Sequence, residues 1–375
     1  MASIYIHIPF CKRKCHYCNF FSTVSQKDRP ELINSIVDEI GLRHDYLDSN
    51  IIDSIYFGGG TPSLLTEIEL SSIFSKINEH FILSSDCEIT LEANPDDISI
   101  DKLKLLKDQG INRLSIGIQS FDDGLLEKLN RIHSSKDAIK SVELSKKYGF
   151  DNLSIDLIFG IPGLNNELWE KEIDIFLNMD IRHLSSYFLT VEPNTALHHL
   201  IKKNKYPNVD EKLGIDHFKI LMDKISDRKY DHYEISNYAL DGMISKHNSN
   251  YWKSKSYLGI GPSSHSYNLV SRQWNASSIK KYIESIKNGN RFLDFEELSL
   301  EDRYNEFVML GLRTSWGINI SEVENIFGSN ISNYFKARIN ITRFKENTII
   351  TDNCIKLTRN GKILADGLAA ELFIT

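Results

Sequence analysis

Apolar residues recur along this chain in two alternating rhythms. Short runs dense in Ile, Leu, Tyr and Phe lie at Ile4–Ile8, Ser54–Phe57, Glu88–Glu92, Arg113–Gln119, Leu153–Phe159 and His183–Leu189. They read as strands, with a weaker run at His232–Ser236. Between them the spacing turns helical, as at Ile33, Ile36, Val37 and Ile40. Asp101–Gln109 carries Leu103, Leu105 and Leu106 and stops at Gly110, and Ser135 is expected to cap a helix through Lys147 that Gly149 ends. Strand–helix repetition of this kind predicts an α/β fold with a parallel sheet and outer helices. The number of repeats predicts a partial (β/α)6-type barrel, placed at residues 1–240.

Beyond residue 200 the pattern loosens. Residues 241–296 read as a loop-rich connecting region containing "SKHNSNYWKSKSYLGIGPSSHS". Residues 297–375 read as a small helical, winged-helix-like domain. Three helical segments run from about Leu298 to near Arg343, a hairpin turns at Asp352-Asn353, and a last helix starts near Lys362. Lys336, Arg338, Arg343 and Lys345 read as a solvated helix face, and the formal net charge of -7 offers no nucleic-acid footprint. No apolar run reaches the roughly 20 residues of a membrane span, and no secretory signal is expected at the N-terminus. Five cysteines, three of them clustered, point to a reducing cytoplasm and a metal or cluster site, not a disulfide framework.

The cluster is Cys11, Cys15 and Cys18 in "CKRKCHYC". Cubane iron–sulfur clusters bind thiolates, usually four, so three would leave one iron open. A Cys3His zinc site using His7 or His16 stays open on spacing alone. Cys87 and Cys354 read as structural. After the second strand, Gly58-Gly59-Gly60-Thr61-Pro62 is neither a phosphate loop nor GxGxxG. Its glycines are read as permitting close approach of a ligand, three being more than a turn needs. Polar residues recur at one end of nearly every strand, where α/β barrels gather their chemistry. Among them Glu92, Gln119 and Asp156, with Arg131, offer carboxylates for an ammonium or ribose and a guanidinium for a carboxylate.

CxxxCxxC after the first strand and GGGTP after the second resemble the radical S-adenosylmethionine superfamily. "YIHIPFC" and "YFGGGTP" are similar to its oxygen-independent coproporphyrinogen dehydrogenase branch. The resemblance spans nearly the whole chain and favours a cluster over zinc. It implies that Cys11, Cys15 and Cys18 hold a [4Fe-4S] cluster, that Tyr5 and Tyr17 flank S-adenosylmethionine, and that Gly59, Gly60 and Thr61 contact its methionine part. Glu92, Gln119, Arg131 and Asp156, within "LEANP", "SIGIQSF", "LNRIH" and "SIDLIFGIPG", would complete that pocket. The branch's dehydrogenases carry CxxxCxxCxC and a longer N-terminal extension; here Phe20 replaces the fourth cysteine and ten residues precede Cys11. In both respects the chain resembles the HemW-type heme chaperones, which bind heme and pass it to apo-hemoproteins such as respiratory enzymes. Their HNxxYW signature stands at His247–Trp252. A neutral imidazole ligates heme iron, so His247 is expected to be heme-linked, with His265 a second candidate, Tyr251 and Trp252 lining the ring, and Gly259 and Gly261 letting the chain fold around it. The reading includes no nucleic acid and admits peripheral membrane contact and a homodimer. It assigns no catalytic residue; decarboxylation of coproporphyrinogen is the alternative.

Overall fold

The computed structural model describes residues 2–292 and 294–375. Six parallel strands form its centre in sequential order: β1 (Ala2–Ile8), β2 (Ile51–Gly59), β3 (Ile82–Ala93), β4 (Arg113–Gln119), β5 (Asn152–Phe159) and β6 (His183–Phe188). The helices between them are α1 (Arg29–Leu42), α2 (Glu67–His80), α3 (Ile100–Asp108), α4 (Asp123–Lys128), α5 (Ser135–Lys147) and α6 (Asn166–Asn178), followed by α7 (Ala196–Lys202) and α8 (Glu211–Asp227). The α/β, partial-barrel expectation holds. Helix α5 is capped one residue earlier than expected, by Ser134, whose hydroxyl accepts from Asp137 N while the Asp137 carboxylate returns the bond.

Parallel strands buried on both faces are usually apolar throughout. These alternate. Ile4, Ile6, Ile55, Phe57, Ile89, Leu91, Leu114, Ile116, Ile155 and Leu157 pack in one core with Ile33, Ile36 and Ile40 of α1. The intervening Ser3, Tyr5, Ser54, Tyr56, Glu88, Glu92, Arg113, Ser115 and Asp156 share the opposite face, where side-chain bonds such as Ser54–Ser3 (2.9 Å) and Tyr56–Glu92 (2.8 Å) link neighbouring strands. A period of two places every second residue on that face, so the barrel has a polar interior.

The segment read as a connecting region, residues 241–296, is not all loop: it adds strands to the sheet, beyond a hairpin that precedes it. A hairpin of β7 (Asp231–Glu234) and β8 (Asn237–Ala239) joins the β6 edge antiparallel. After α9 (Lys246–Trp252) the chain crosses to the other edge. There β9 (Tyr257–Ile260) runs parallel to β1, and β10 (His265–Tyr267), β11 (Ser271–Trp274) and β12 (Asp294–Glu297) follow antiparallel, with α10 (Ile279–Lys287) before the last. Buried Arg43 of α1 ties this edge down, donating to Gly259 O (3.1 Å), Ser266 Oγ (2.9 Å) and Gln273 Oε1 (3.0 Å).

The C-terminal unit has its own core. It contains α11 (Leu300–Leu312), β13 (Ile318–Asn319), α12 (Ile320–Arg338, interrupted at Gly328 with φ +83°), α13 (Thr342–Asn347), β14 (Thr348–Thr351), β15 (Cys354–Leu357), α14 (Arg359–Ile363) and α15 (Ala365–Glu371). The hairpin turns at Asp352 and Asn353, both left-handed (φ +50° and +61°), as a two-residue turn demands. Two backbone bonds hold the unit against β7 and its turn, Ile235 N to Arg313 O (3.1 Å) and Ser315 N to Tyr233 O (2.9 Å).

Candidate functional site

A cavity of about 1040 Å³ opens where the six parallel strands end, bounded on its far side by the C-terminal unit. Cys11, Cys15 and Cys18 occupy one rim, with Tyr17, Gly59, Gly60 and Thr61 beside them and Glu92, Gln119, Arg131 and Asp156 deeper in. Of the residues singled out from the sequence for cofactor or heme, Tyr5, His247, Tyr251, Trp252, Gly259, Gly261 and His265 are outside it.

The cysteine loop is held by its neighbours. Cys11 N donates to Thr23 O (2.9 Å) and His16 N to Leu129 O (3.1 Å), while Asn130 Nδ2 donates to Lys14 O (2.8 Å). Lys12 pairs with Asp96 (2.8 Å) and with Asp97, fixing the loop to the end of β3. Burial pushes the Cys11 and Cys18 thiols up from their ordinary range. Arg131 Nη1 donates to Cys15 Sγ at 3.3 Å, setting a guanidinium beside the cysteine rim. Both imidazoles considered for zinc have other partners. His7 bonds Tyr5 Oη (3.1 Å) through Nδ1 and Phe21 O (2.8 Å) through Nε2, and His16 bonds Lys128 O (3.0 Å) through Nδ1. Among the described residues no three His, Cys, Asp or Glu side chains are grouped to hold a single metal ion. The donor set that remains, three thiols on an open rim beside a guanidinium, suits a larger thiolate-bound body.

The glycines have a packing reason beside the one expected. A Cβ on Gly59 (φ +108°) would come within 2.5 Å of the His7 ring, and one on Gly60 within 2.7 Å of the Pro9 carbonyl carbon. Packing of β2 against the strand that delivers the cysteines requires them, whether or not a ligand also approaches. Gly60 N and Thr61 N bond Ile8 O (2.8 Å) and Phe10 O (2.7 Å), locking the two segments together.

Glu92 accepts from Tyr56 Oη (2.8 Å) and Gly59 N (3.1 Å). Burial nevertheless raises its pKa to about 7, with the Asp156 charge adding to the shift. Asp156 accepts from Ser115 Oγ (3.2 Å) and is raised to about 6, again by burial. Two carboxyl groups with pKa values near neutrality thus sit inside one cavity. Arg131 Nη2 donates to Asn94 Oδ1 (2.7 Å) and Gly117 O (2.5 Å), and Asn94 Nδ2 donates to Thr61 Oγ1 (3.2 Å). Gln119, at the end of β4, takes φ +71° and turns the chain at the cavity edge.

Tyr5 lies one layer back, stacked on Tyr56 (6.1 Å between centroids), and Tyr56 lines the cavity in its place. His247 is corrected more severely. It lies on α9, 1 % exposed, beneath the cavity floor. Its Nδ1 bonds Ser54 Oγ (2.9 Å) and its Nε2 bonds Tyr251 Oη (2.9 Å), so neither nitrogen is available to an iron. Its ring stacks on Tyr56 at 5.0 Å, and burial, reinforced by the Arg113 charge, lowers its pKa to about 3. Trp252 meets Arg313 at 5.6 Å instead of lining a ring. His265 is exposed on β10, away from the cavity. A Cβ on Gly259 or Gly261 would strike the His265 or His7 carbonyl oxygen, at 1.9 and 2.5 Å, so those glycines also serve packing. Tyr56, Asn94, Ser115 and Tyr187 line the cavity and were missed. Strand alternation carried the signal for Tyr56, Ser115 and Tyr187; nothing local marked Asn94.

Comparison with known proteins follows the same division. The Radical SAM superfamily profile matches residues 5–175 and the HemN C-terminal domain profile matches residues 298–364. The chain is 36% identical over 369 residues to the heme chaperone HemW of Bacillus subtilis (strain 168), covering 98% of this chain and 97% of that one. It is 31% identical to the heme chaperone HemW of Haemophilus influenzae, covering 100% and 98%. The solved structure of coproporphyrinogen III oxidase (HemN) from Escherichia coli, described as a radical SAM enzyme, superposes with a TM-score of 0.86 at 21% identity, over 99% of this chain and 90% of that one. At that identity the likeness is one of fold.

Proposed function

The chain belongs to the HemW family of the radical S-adenosylmethionine superfamily, and on that premise we propose that it is a heme chaperone carrying a [4Fe-4S] cluster, S-adenosylmethionine and heme. The observation that carries the proposal is the likeness to heme chaperones along the whole chain, C-terminal unit included. Cys11, Cys15 and Cys18 would hold the cluster, and Arg131 would steady the charge at Cys15. When bound, the cluster supplies an iron without a protein ligand, to which a small molecule can attach. The cofactor's cationic groups would meet Glu92 and Asp156, which lose their protons more readily once a positive charge is near. Tyr17, Gly59, Gly60, Thr61 and Gln119 would shape the rest of that pocket. The cargo would pass to apo-hemoproteins such as respiratory enzymes. In this proposal the protein works in the cytoplasm, meets membrane-held acceptors at the bilayer surface and admits a homodimer. Among the described residues, no helix is long and apolar enough to cross a membrane.

Phe20, standing where the decarboxylases have a fourth cysteine, is 69% exposed on the cavity rim. A hydrocarbon ring there adds no ligand. The test is anaerobic reconstitution followed by two parallel assays. Stoichiometric heme uptake with transfer to an apo-hemoprotein, and no decarboxylation of coproporphyrinogen, is expected. Robust decarboxylation without heme uptake would overturn the proposal in favour of the enzyme.

A further inference from the structure

With His247 removed from the set of accessible ligands, the place of the tetrapyrrole has to be found elsewhere. The cavity continues past the cysteine rim toward the C-terminal unit, and its chemistry changes there. Phe188, at the end of β6, lies against Phe159 (5.7 Å between centroids), which in turn stacks on Phe218 of α8 at 6.0 Å and 11°. The Phe188 ring rests on two glycines: a Cβ at Gly160 would come within 2.4 Å of it and one at Gly214 within 2.1 Å. Those absences of a side chain let an aromatic wall form at the cavity surface. The C-terminal unit contributes Lys362 and Arg313 to the lining. Among the described residues, the only hydrogen bond from Lys362 Nζ runs to the His232 carbonyl at 3.3 Å, and burial lowers its pKa to about 8. Arg313 uses Nη1 on exposed Asp366 and lies over Trp252 at 5.6 Å. No histidine or methionine lines the cavity among the described residues.

Resting on the heme-chaperone reading above, we propose that this far half is the tetrapyrrole site. The macrocycle would stack on the Phe188 wall, with its carboxylates at Lys362 and Arg313 and no imidazole from the protein on its iron. An apolar disc with acidic edges needs an aromatic face and fixed cations, and these are the two features that the far half supplies. Tyr187, next to Phe188 on β6, also lines the cavity. Affinity would then come from stacking and ion pairing, both indifferent to the metal, and release would break no bond between iron and protein. A carrier that must hand over its cargo gains from that arrangement. Asp366 competes for Arg313, so the site is held below its full attraction for a dicarboxylate.

The experiment titrates the cluster-reconstituted protein with heme and, separately, with metal-free protoporphyrin, read by absorbance and by quenching of protein fluorescence. The two ligands are expected to bind within about threefold of each other. The pair Lys362→Gln and Arg313→Gln should weaken both by about tenfold or more, the scale of a charge-assisted hydrogen bond. Lys362→Arg should restore most of the loss, and Asp366→Asn should tighten both ligands. The cluster absorption of each variant reports that it is folded. Heme binding more than about a hundredfold tighter than metal-free porphyrin would reveal an iron ligand from the protein and overturn the proposal. Unchanged heme affinity in the folded double variant would place the site elsewhere while leaving the chaperone reading intact. Failure of the wild-type protein to bind either tetrapyrrole would overturn both.

Discussion

Residues 11–18 and 247–252 are both short clusters of ligand-type side chains, and they meet opposite fates. The first follows the end of β1 and turns its thiols toward an open cavity. The second forms α9, which packs under the floor against the first half of the strands. There His247 bonds Ser54, Asn250 bonds Ser3 (2.8 Å) and Asp53 (3.0 Å), and the backbone of His247 bonds Glu88 (2.9 Å). Carboxyl-terminal strand ends in an α/β barrel face the chemistry, and the other end carries stability. A motif's composition therefore says which chemistry is available, and its position on the strand decides whether that chemistry is exposed. Here the His247 ring packs on Tyr56, whose hydroxyl donates to Glu92.

This contrast can be broken at either end. The largest effect is expected at the rim. Replacing Cys11, Cys15 or Cys18 with Ala should abolish the cluster outright, measured as iron, sulfide and visible absorption, whereas Cys87→Ser and Cys354→Ser should retain it. Retention of a full cluster in Cys15→Ala would detach the rim from the metal. Next comes the floor. His247→Ala should cost about 2–5 kcal/mol of stability, because it opens a void and leaves the half-buried Tyr251 hydroxyl without its partner, while Ser54 keeps Ser3. The heme spectrum of the folded fraction should be unchanged. A stable variant with an altered heme spectrum would return the imidazole to the iron.

The smallest effect concerns the carboxylates. Glu92 and Asp156 have pKa values raised to about 7 and about 6, so the native protein holds these protons more tightly than the unfolded chain does. Their contribution to the stability of the unliganded protein is full below the ordinary carboxylate range and declines as pH rises through about 6 to about 7. A bound cation reverses the trend. S-adenosylmethionine affinity should climb over that same interval, by at most about tenfold per pH unit for each proton released, and level off above it. Calorimetry in buffers of different ionisation enthalpy would count the protons. Affinity that is flat between pH 5.5 and 8 would remove both carboxylates from the cation's surroundings.

The strands of the barrel were legible because their hydrophobic runs are long and local, and the alternation within them already carried the polar interior. Tyr56 and Ser115 sit on the same alternating face as Glu92 and Asp156, so reading the period-two pattern through to the end would have found them. The strands β9 to β12 were not legible. They are three or four residues long and rich in Ser, Gly and charged side chains, and β9 pairs with β1 across most of the chain, Ser3 opposite Tyr257. Such pairing is decided by tertiary partners such as Arg43, which no local window contains. The glycines of GGGTP were recognised as special for an incomplete reason, since the His7 ring and the Pro9 backbone that exclude a Cβ come from another strand. His247 failed in the same way: its residue type suggested a ligand, and only its partners Ser54 and Tyr251 reveal a buried hydrogen-bonding group.

The central claim, that cluster and tetrapyrrole share one cavity while the HNxxYW segment forms its floor, is open to one direct measurement. Crystals of the cluster-reconstituted, heme-loaded protein would be measured with anomalous scattering at the iron edge. Iron is expected at the cysteine rim and, separately, beside the Phe188 wall, with no imidazole nitrogen at bonding distance from the second position. Heme iron bonded to Nε2 of His247, or to His265 on the sheet edge, would contradict it.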